Sequence, residues 1–244
     1  MALFSSLERA LRDETWVAQA TVVSEPGIGR KLLVWRDGAS EGSLGDQALD
    51  RAASRLALEP DRQTGPVSVA APNGDETAGE VELFLEIFAP LPKLIVVGAV
   101  HVAIHLVHFA QRLGFRTIVV DARSVFATDE RFPHADELIV GWPGEVLRGM
   151  KLHDNTYCVF LTHDPKLDDP ALIAALEADV RYVGALGSTR THAKRVERLA
   201  EAGLPPERIE RIHAPIGLDL GGRRPEEIAL SIAAQMVQAR YGKA

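Results

Sequence analysis

A single cysteine in 244 residues, Cys158, leaves no partner for an internal disulfide. A disulfide-stapled secreted scaffold is therefore excluded, and a reducing cytoplasm is the expected compartment. No apolar run approaches the roughly twenty residues of a membrane-spanning helix. The stretch from Met1 to Ala10 lacks a basic segment followed by an apolar one, so no secretory signal is expected. Basic charge is short as well: 27 Lys and Arg stand against 34 Asp and Glu, a net charge of −7, whereas a protein that reads a nucleic-acid backbone needs a basic face. Internal repeats and low-complexity tracts are missing too. What remains is an ordinary soluble composition, 46% hydrophobic and 25% charged, long enough for one large domain or two modest ones.

The chain changes rhythm near Pro90-Leu-Pro92, which reads as a linker. Before it, a short amphipathic helix over Ala2 to Arg12 leads to strand-like runs at Trp16–Ser24, Lys31–Trp35, Val67–Ala71 and Val81–Phe88. Glu25 to Gly29 reads as a turn, Asp37-Gly38 as a hairpin signal, and Asp46 to Leu58 as a helix with Ala48, Leu49, Ala52, Ala53 and Leu56 on one face. Residues 1–90 thus predict a small α+β domain. Residues 93–244 predict a Rossmann-like parallel sheet with helices on both faces, because nearly continuous apolar strands alternate with amphipathic helices. Expected strands are Leu94–Val97, Thr117–Val120, Glu137–Val140, Tyr157–Leu161 and Tyr182–Val183. Expected helices are His101–Leu113, Pro143–Arg148, Pro170–Ala178, Thr189–Ala202 and Pro225–Tyr241. Ligands of such sheets bind at the carboxyl ends of the strands.

The residues there carry the candidate chemistry. Gly98 opens a tight turn into a helix, with Ala103 small at the third fingerprint position and Val100 where a dinucleotide-binding turn has its middle glycine. A β-branched side chain at that position crowds a pyrophosphate. His101 lies in the same turn. Asp121 ends the second strand, where an acid grips ribose hydroxyls, and Arg123 can pair with a phosphate; the structural alternative is an Asp–Arg pair that orients the loop. His163 and Asp164 follow the fourth strand as acid/base or hydrogen-bonding candidates, although Asp164 can equally cap the turn before Pro165, as Asp169 is expected to do before Pro170. Gly184, Gly187, Ser188 and Arg190 form a second glycine loop that runs into a helix carrying Lys194 and Arg195. Free N–H groups, a hydroxyl and nearby cations suit an anion, while a glycine turn with Ser188 as N-cap explains all but Arg190. Asp219, in the glycine-rich Pro215–Gly222 segment, can reach a ligand; Pro225 with Glu226 and Glu227 is a sound helix start. His101, His105 and His108 have zinc-compatible spacing, but no neighbouring acid or cysteine completes a set, and no metal is expected. Cys158 reads as a buried small hydrophobe.

Taken in order, Gly98–Ala103, Val120–Arg123, Phe126-Ala127 with Arg131-Phe132-Pro133, Thr162–Pro165, Gly184–Ser188 and Pro215–Asp219 through Pro225–Ala229 resemble the xanthine dehydrogenase accessory factor family, the XdhC/CoxI-type proteins. The first domain resembles that family more faintly, through Ala20–Val23 and Gly42-Ser43. The resemblance implies a non-catalytic chaperone that binds molybdenum cofactor (molybdopterin, a pterin bearing a phosphate) and helps insert it into a xanthine dehydrogenase or carbon monoxide dehydrogenase-type enzyme. It implies a molybdenum hydroxylase apoenzyme as partner, a cysteine desulfurase as a second, and a homo-oligomer. Where the family often reads Gly-Ser-x-Ser-Gly-Gly-Cys-x-Glu, this chain has Gly42-Ser-Leu-Gly-Asp46-Gln-Ala48-Leu-Asp50, so a thiol is absent there. The fold also admits an NAD(P)-dependent oxidoreductase or a nucleotide-sensing regulatory module.

Overall fold

The computed structural model describes residues 2–25, 27–59, 62–70 and 80–242. Pro26 of the expected first turn and Ala71 at the end of an expected strand lie outside them. The chain forms two compact units, Met1–Pro90 and Leu91–Ala244.

In the first unit, α1 (Ala2–Arg12) precedes β1 (Val17–Val22), β2 (Lys31–Trp35) and β3 (Ser40–Ser43), then α2 (Gln47–Ala57), β4 (Gly65–Ala70) and β5 (Glu80–Phe88). The strands make an antiparallel sheet in the order β3-β2-β1-β5-β4. The Asp37-Gly38 signal does make a hairpin: Trp35 N–H bonds Ala39 C=O and Asp37 accepts from Ala39 N–H, joining β2 to β3, a strand too short and polar to stand out in the sequence. Alternation along β1 and β2 sends Ala18, Ala20, Leu32 and Val34 to the face covered by α2, and Val17 and Leu33 to the face that packs with Leu3, Leu7 and Ala10 of α1. The α2 start holds the segment where the resemblance would place a cysteine. Asp46 caps it by accepting from Ala48 and Leu49 N–H, and Asp50 accepts from Ser43 Oγ and Leu44 N–H.

In the second unit, β6 (Lys93–Val97), α3 (His101–Arg112), β7 (Arg116–Asp121), β8 (Glu137–Val140), α4 (Pro143–Gly149), β9 (Thr156–Phe160), α5 (Pro165–Glu177), β10 (Tyr182–Ala185), α6 (Thr189–Glu201), α7 (Pro206–Ile209), β11 (Ile212–His213) and α8 (Pro225–Arg240) follow in turn. All six strands run parallel, in the order β11-β10-β9-β6-β7-β8. Both faces are buried, as the apolar runs require: Leu94 and Val96 join α3 and α8 in one core, while Ile95 and Val97 join α4, α5 and α6 in the other. The order reverses between β6 and β9, so the loops after these strands diverge to opposite faces and leave a crevice at their carboxyl ends. One helix starts earlier than expected. Asp164 caps α5, Pro165 is its first residue, and Pro170 lies inside it; Asp169 is therefore no cap but pairs with Arg198 of α6.

Candidate functional site

The first glycine turn is closed from within. Gly98 has φ +108° and a Cβ there would lie 2.8 Å from Thr162 Cγ2, so the turn needs glycine both for its backbone and for the approach of the β9–α5 loop. Asp121 is completely buried at the end of β7. Its Oδ2 accepts from Ala99 N–H at 2.8 Å, and the Arg123 guanidinium and backbone N–H reach its two oxygens at 2.8–2.9 Å. Burial pushes the Asp121 pKa up, but the bonds from Arg123 and Ala99 and the Arg123 charge together outweigh it, and the carboxyl sits below its ordinary range. Arg123 in turn lies 4.5 Å from the Phe126 ring centre. Arg131 completes the collar by donating to the carbonyls of Ala99 and Phe126. Val100 N–H turns back onto Gly98 C=O, and Val100 caps α3 without a side-chain bond. His101, the first residue of α3, is exposed.

The loop after β9 approaches from the other side of the reversal. His163 is exposed, with φ +61°. Asp164 caps α5 through Lys166 N–H. Thr162 Oγ1 donates to Asp168 Oδ1 at 2.7 Å. Asp168 is buried, and that burial lifts its pKa to about 6. The Asp121 hydrogen bond raises the Arg123 pKa, and the charges of Asp164 and Asp168 add to it, so the loops after β7 and β9 share one electrostatic field.

The second glycine loop is also internally capped. Gly184 is buried in β10, and after Gly187 (φ +137°) Ser188 Oγ accepts from Thr191 N–H as the α6 cap. Arg190 stays exposed and, with His163, lines a cleft of about 270 Å³ between α5 and α6, together with Asp168, Asp169, Lys194, Arg195 and Arg198. A second cavity of about 440 Å³ lies under the Pro215–Gly222 segment, bounded by Leu186, Ile216, Asp219 and Ile228. Asp219 is exposed there and bonds Gly221 N–H at 3.3 Å. Gln235 of α8 holds this segment to the sheet, accepting from Tyr182 Oη and Gly217 N–H.

Seven of the eleven candidates fall into three groups: Gly98, His101, Asp121 and Arg123 at the first turn; His163 and Arg190 at the α5–α6 cleft; and Asp219 at the second cavity, while Asp164 and Ser188 cap helices and Gly184 and Gly187 shape the second glycine loop. The helix face bearing His101, His105 and His108 forms no metal set, since among the described residues no three His, Cys, Asp or Glu side chains are grouped to hold an ion. His108 instead stacks on His134 with ring centres 3.5 Å apart. Cys158 is buried in β9, its thiol pushed up to about 12 by desolvation. Asp168 and Arg198 are site builders that motif reading passed over, and Arg131 stood only as part of a motif, with no role given to its side chain. The spacing of Arg190, Lys194 and Arg198, every fourth residue of one helix, was the available signal for Arg198.

A parallel six-stranded sheet of this order, with its loops gathered at the carboxyl edge, defines a Rossmann-type domain. More specifically, the chain belongs to the XdhC family: residues 94–236 match the XdhC Rossmann domain and residues 10–67 match the XdhC and CoxI family. It is 32% identical to a probable xanthine dehydrogenase subunit of Bacillus subtilis over 169 residues, covering 69% of this chain and 48% of that protein. It is 38% identical to the molybdenum cofactor insertion chaperone PaoD of Escherichia coli over 90 residues, covering 37% of this chain and 28% of that protein. The chain spans about half the length, or less, of the curated relatives it matches. A crystal structure of a xanthine dehydrogenase from Bacillus halodurans shares the fold, with a TM-score of 0.57 at 23% identity over 98% of this chain and 96% of that one. No described helix is long and apolar enough to cross a membrane.

Proposed function

We propose that this protein is an accessory factor of a molybdoenzyme, which takes up molybdenum cofactor at the carboxyl edge of its parallel sheet and passes it to a xanthine dehydrogenase or carbon monoxide dehydrogenase-type apoenzyme. The observation that carries this reading is the 38% identity over 90 residues to a molybdenum cofactor insertion chaperone, beside a family match that spans most of the second unit. The first glycine turn supports it against a nicotinamide enzyme. Asp121 has both oxygens engaged by Ala99 and Arg123, so it has nothing left to grip a ribose, and Val100 caps α3 at the position where a dinucleotide-binding turn has its middle glycine.

The donor set limits how such a cargo is held. The chain's one thiol, Cys158, is fully buried and protonated, so the molybdenum gains no thiolate ligand from this chain. The grip falls to groups that bind the pterin and its phosphate, with His101, Arg123, His163 and Arg190 the exposed or half-exposed candidates. Sulfur for the cargo then comes from a second partner, a cysteine desulfurase, and is not relayed through a thiol of this chain.

Calorimetric titration with molybdenum cofactor, NAD(P)H and a simple nucleotide in parallel tests the reading. Cofactor binds selectively, and treating the native protein with a thiol-alkylating reagent leaves that binding unchanged. Binding of NAD(P)H without cofactor would transfer the protein to the oxidoreductases.

A further inference from the structure

We infer that the cleft between α5 and α6 is a seat for a phosphate group, presented as the free ion or as the monoester end of a larger ligand. Arg195 carries the inference. It is 2% exposed, yet only Nη2 is used, donating to Leu186 C=O at 2.9 Å. Nε and Nη1 are buried without any hydrogen-bond partner, and the side chain lines the cleft. A guanidinium held out of water with two donors unmet is costly unless an anion completes it. Nη2 keeps a second hydrogen beside the one given to Leu186, so an edge made with Nε or with Nη1 can still take two oxygens of one phosphate.

The surroundings fit that ligand. Arg190 and Lys194 stand exposed in the first two turns of α6 and make no salt bridge among the described residues. Arg198 is the fourth cation, but Asp169 takes its Nε and Nη2 at 2.5 and 3.1 Å, so these two charges offset each other. Asp168 is the other carboxylate: it accepts from Thr162 Oγ1, and its charge, with that of Asp169, acts on Arg195 without supplying a hydrogen bond to Nε or Nη1. His163, Pro165 and Thr191 close the rim, and the cleft's 270 Å³ or so exceeds what one phosphate needs. A positive recess on a protein of net charge −7 concentrates anions locally. The seat is built from side chains, unlike a Rossmann pyrophosphate cradle, which uses backbone N–H groups at the first glycine turn. Its use for the phosphate of molybdopterin rests on the function proposed above.

Inorganic phosphate is the probe, titrated at constant ionic strength against chloride and followed by thermal shift and calorimetry. Phosphate raises the melting temperature of the full chain, and Arg190→Ala with Lys194→Ala, both exposed, weakens binding by about tenfold or more. Arg195→Met, checked for folding by circular dichroism, abolishes the response. No response in the native chain, or equal affinity in the double variant, overturns the seat. A native chain that binds phosphate but not molybdopterin leaves the seat standing and sinks the proposed function instead, so the two failures are distinguishable.

Discussion

Asp121 stays charged at zero exposure because four donors meet its two oxygens, and that arrangement ties the turn after β6 to the end of β7 and the start of its loop. Its pKa is depressed, so the stability it contributes is present above the ordinary carboxylate range and is lost as pH falls through the lowered folded value. Asp121→Asn swaps an acceptor for an amide that faces donors, leaving Ala99 N–H or Arg123 unmet. The expected cost is about 2–4 kcal/mol, read as a lower urea midpoint at pH 7. The gap between the two proteins should narrow as the pH falls, since protonation removes the same interaction from the native chain. The acid at the strand end was legible in the sequence, and the Asp–Arg pair was one of its two readings. Which of them the geometry serves depends on whether the oxygens face outward or into the turn, and Arg131, ten residues on, helps set that by anchoring Ala99 C=O. Arg195 makes the same point: its charge is visible in the sequence, its burial only in the packing of α6 on the sheet.

Helix α5 shows how elements are chosen when local signals tie. Asp164-Pro165 and Asp169-Pro170 both spell a cap followed by a first-turn proline, and local chemistry does not rank them. Tertiary contacts do: Asp169 is drawn to Arg198, Thr162 holds Asp168, and Pro170 packs directly on Gly144 at the start of α4. The apolar strands between helices were legible from pattern, as β6, β7 and β9 attest, and β10 was read over only its first two residues, Tyr182–Val183. The elements that escaped were the ones with too few residues to show a period: β3, α7 and the two-residue β11. The α4–α5 contact supplies a prediction at this scale. A Cβ at Gly144 would lie 2.6 Å from Pro170 Cβ and 3.1 Å from its carbonyl carbon, and neither atom belongs to a flexible side chain. Gly144→Ala therefore forces the two helices apart, at a cost of about 1–3 kcal/mol by the measure of overpacked cores. Equilibrium unfolding would register it as a lower midpoint with an unchanged denaturant slope. An unaltered midpoint would mean that α4 shifts freely on the sheet.

Across the whole chain, two kinds of sheet answer to two kinds of pattern. The first unit alternates half-buried and exposed positions in β4, as a sheet edge does, while β6, β7 and β9 are buried along nearly their whole length, as a parallel sheet covered twice must be. Each unit has its own core: Leu32, Leu83 and Leu85 belong to one set, Leu106, Val159 and Ile232 to another. Separate cores give separate sources of cooperativity, because unfolding free energy comes mainly from the apolar surface each one buries. Leu106→Ala removes a fully buried side chain between α3 and the sheet and should cost about 2–5 kcal/mol in the second unit. Leu33→Ala makes the same deletion in the first. In differential scanning calorimetry the native chain should show two transitions, with each substitution lowering one and leaving the other in place. If both transitions moved together under either substitution, residues 1–90 and 91–244 would be one cooperative body. Loss of cofactor uptake after a change in one unit could then no longer be assigned to that unit's own residues.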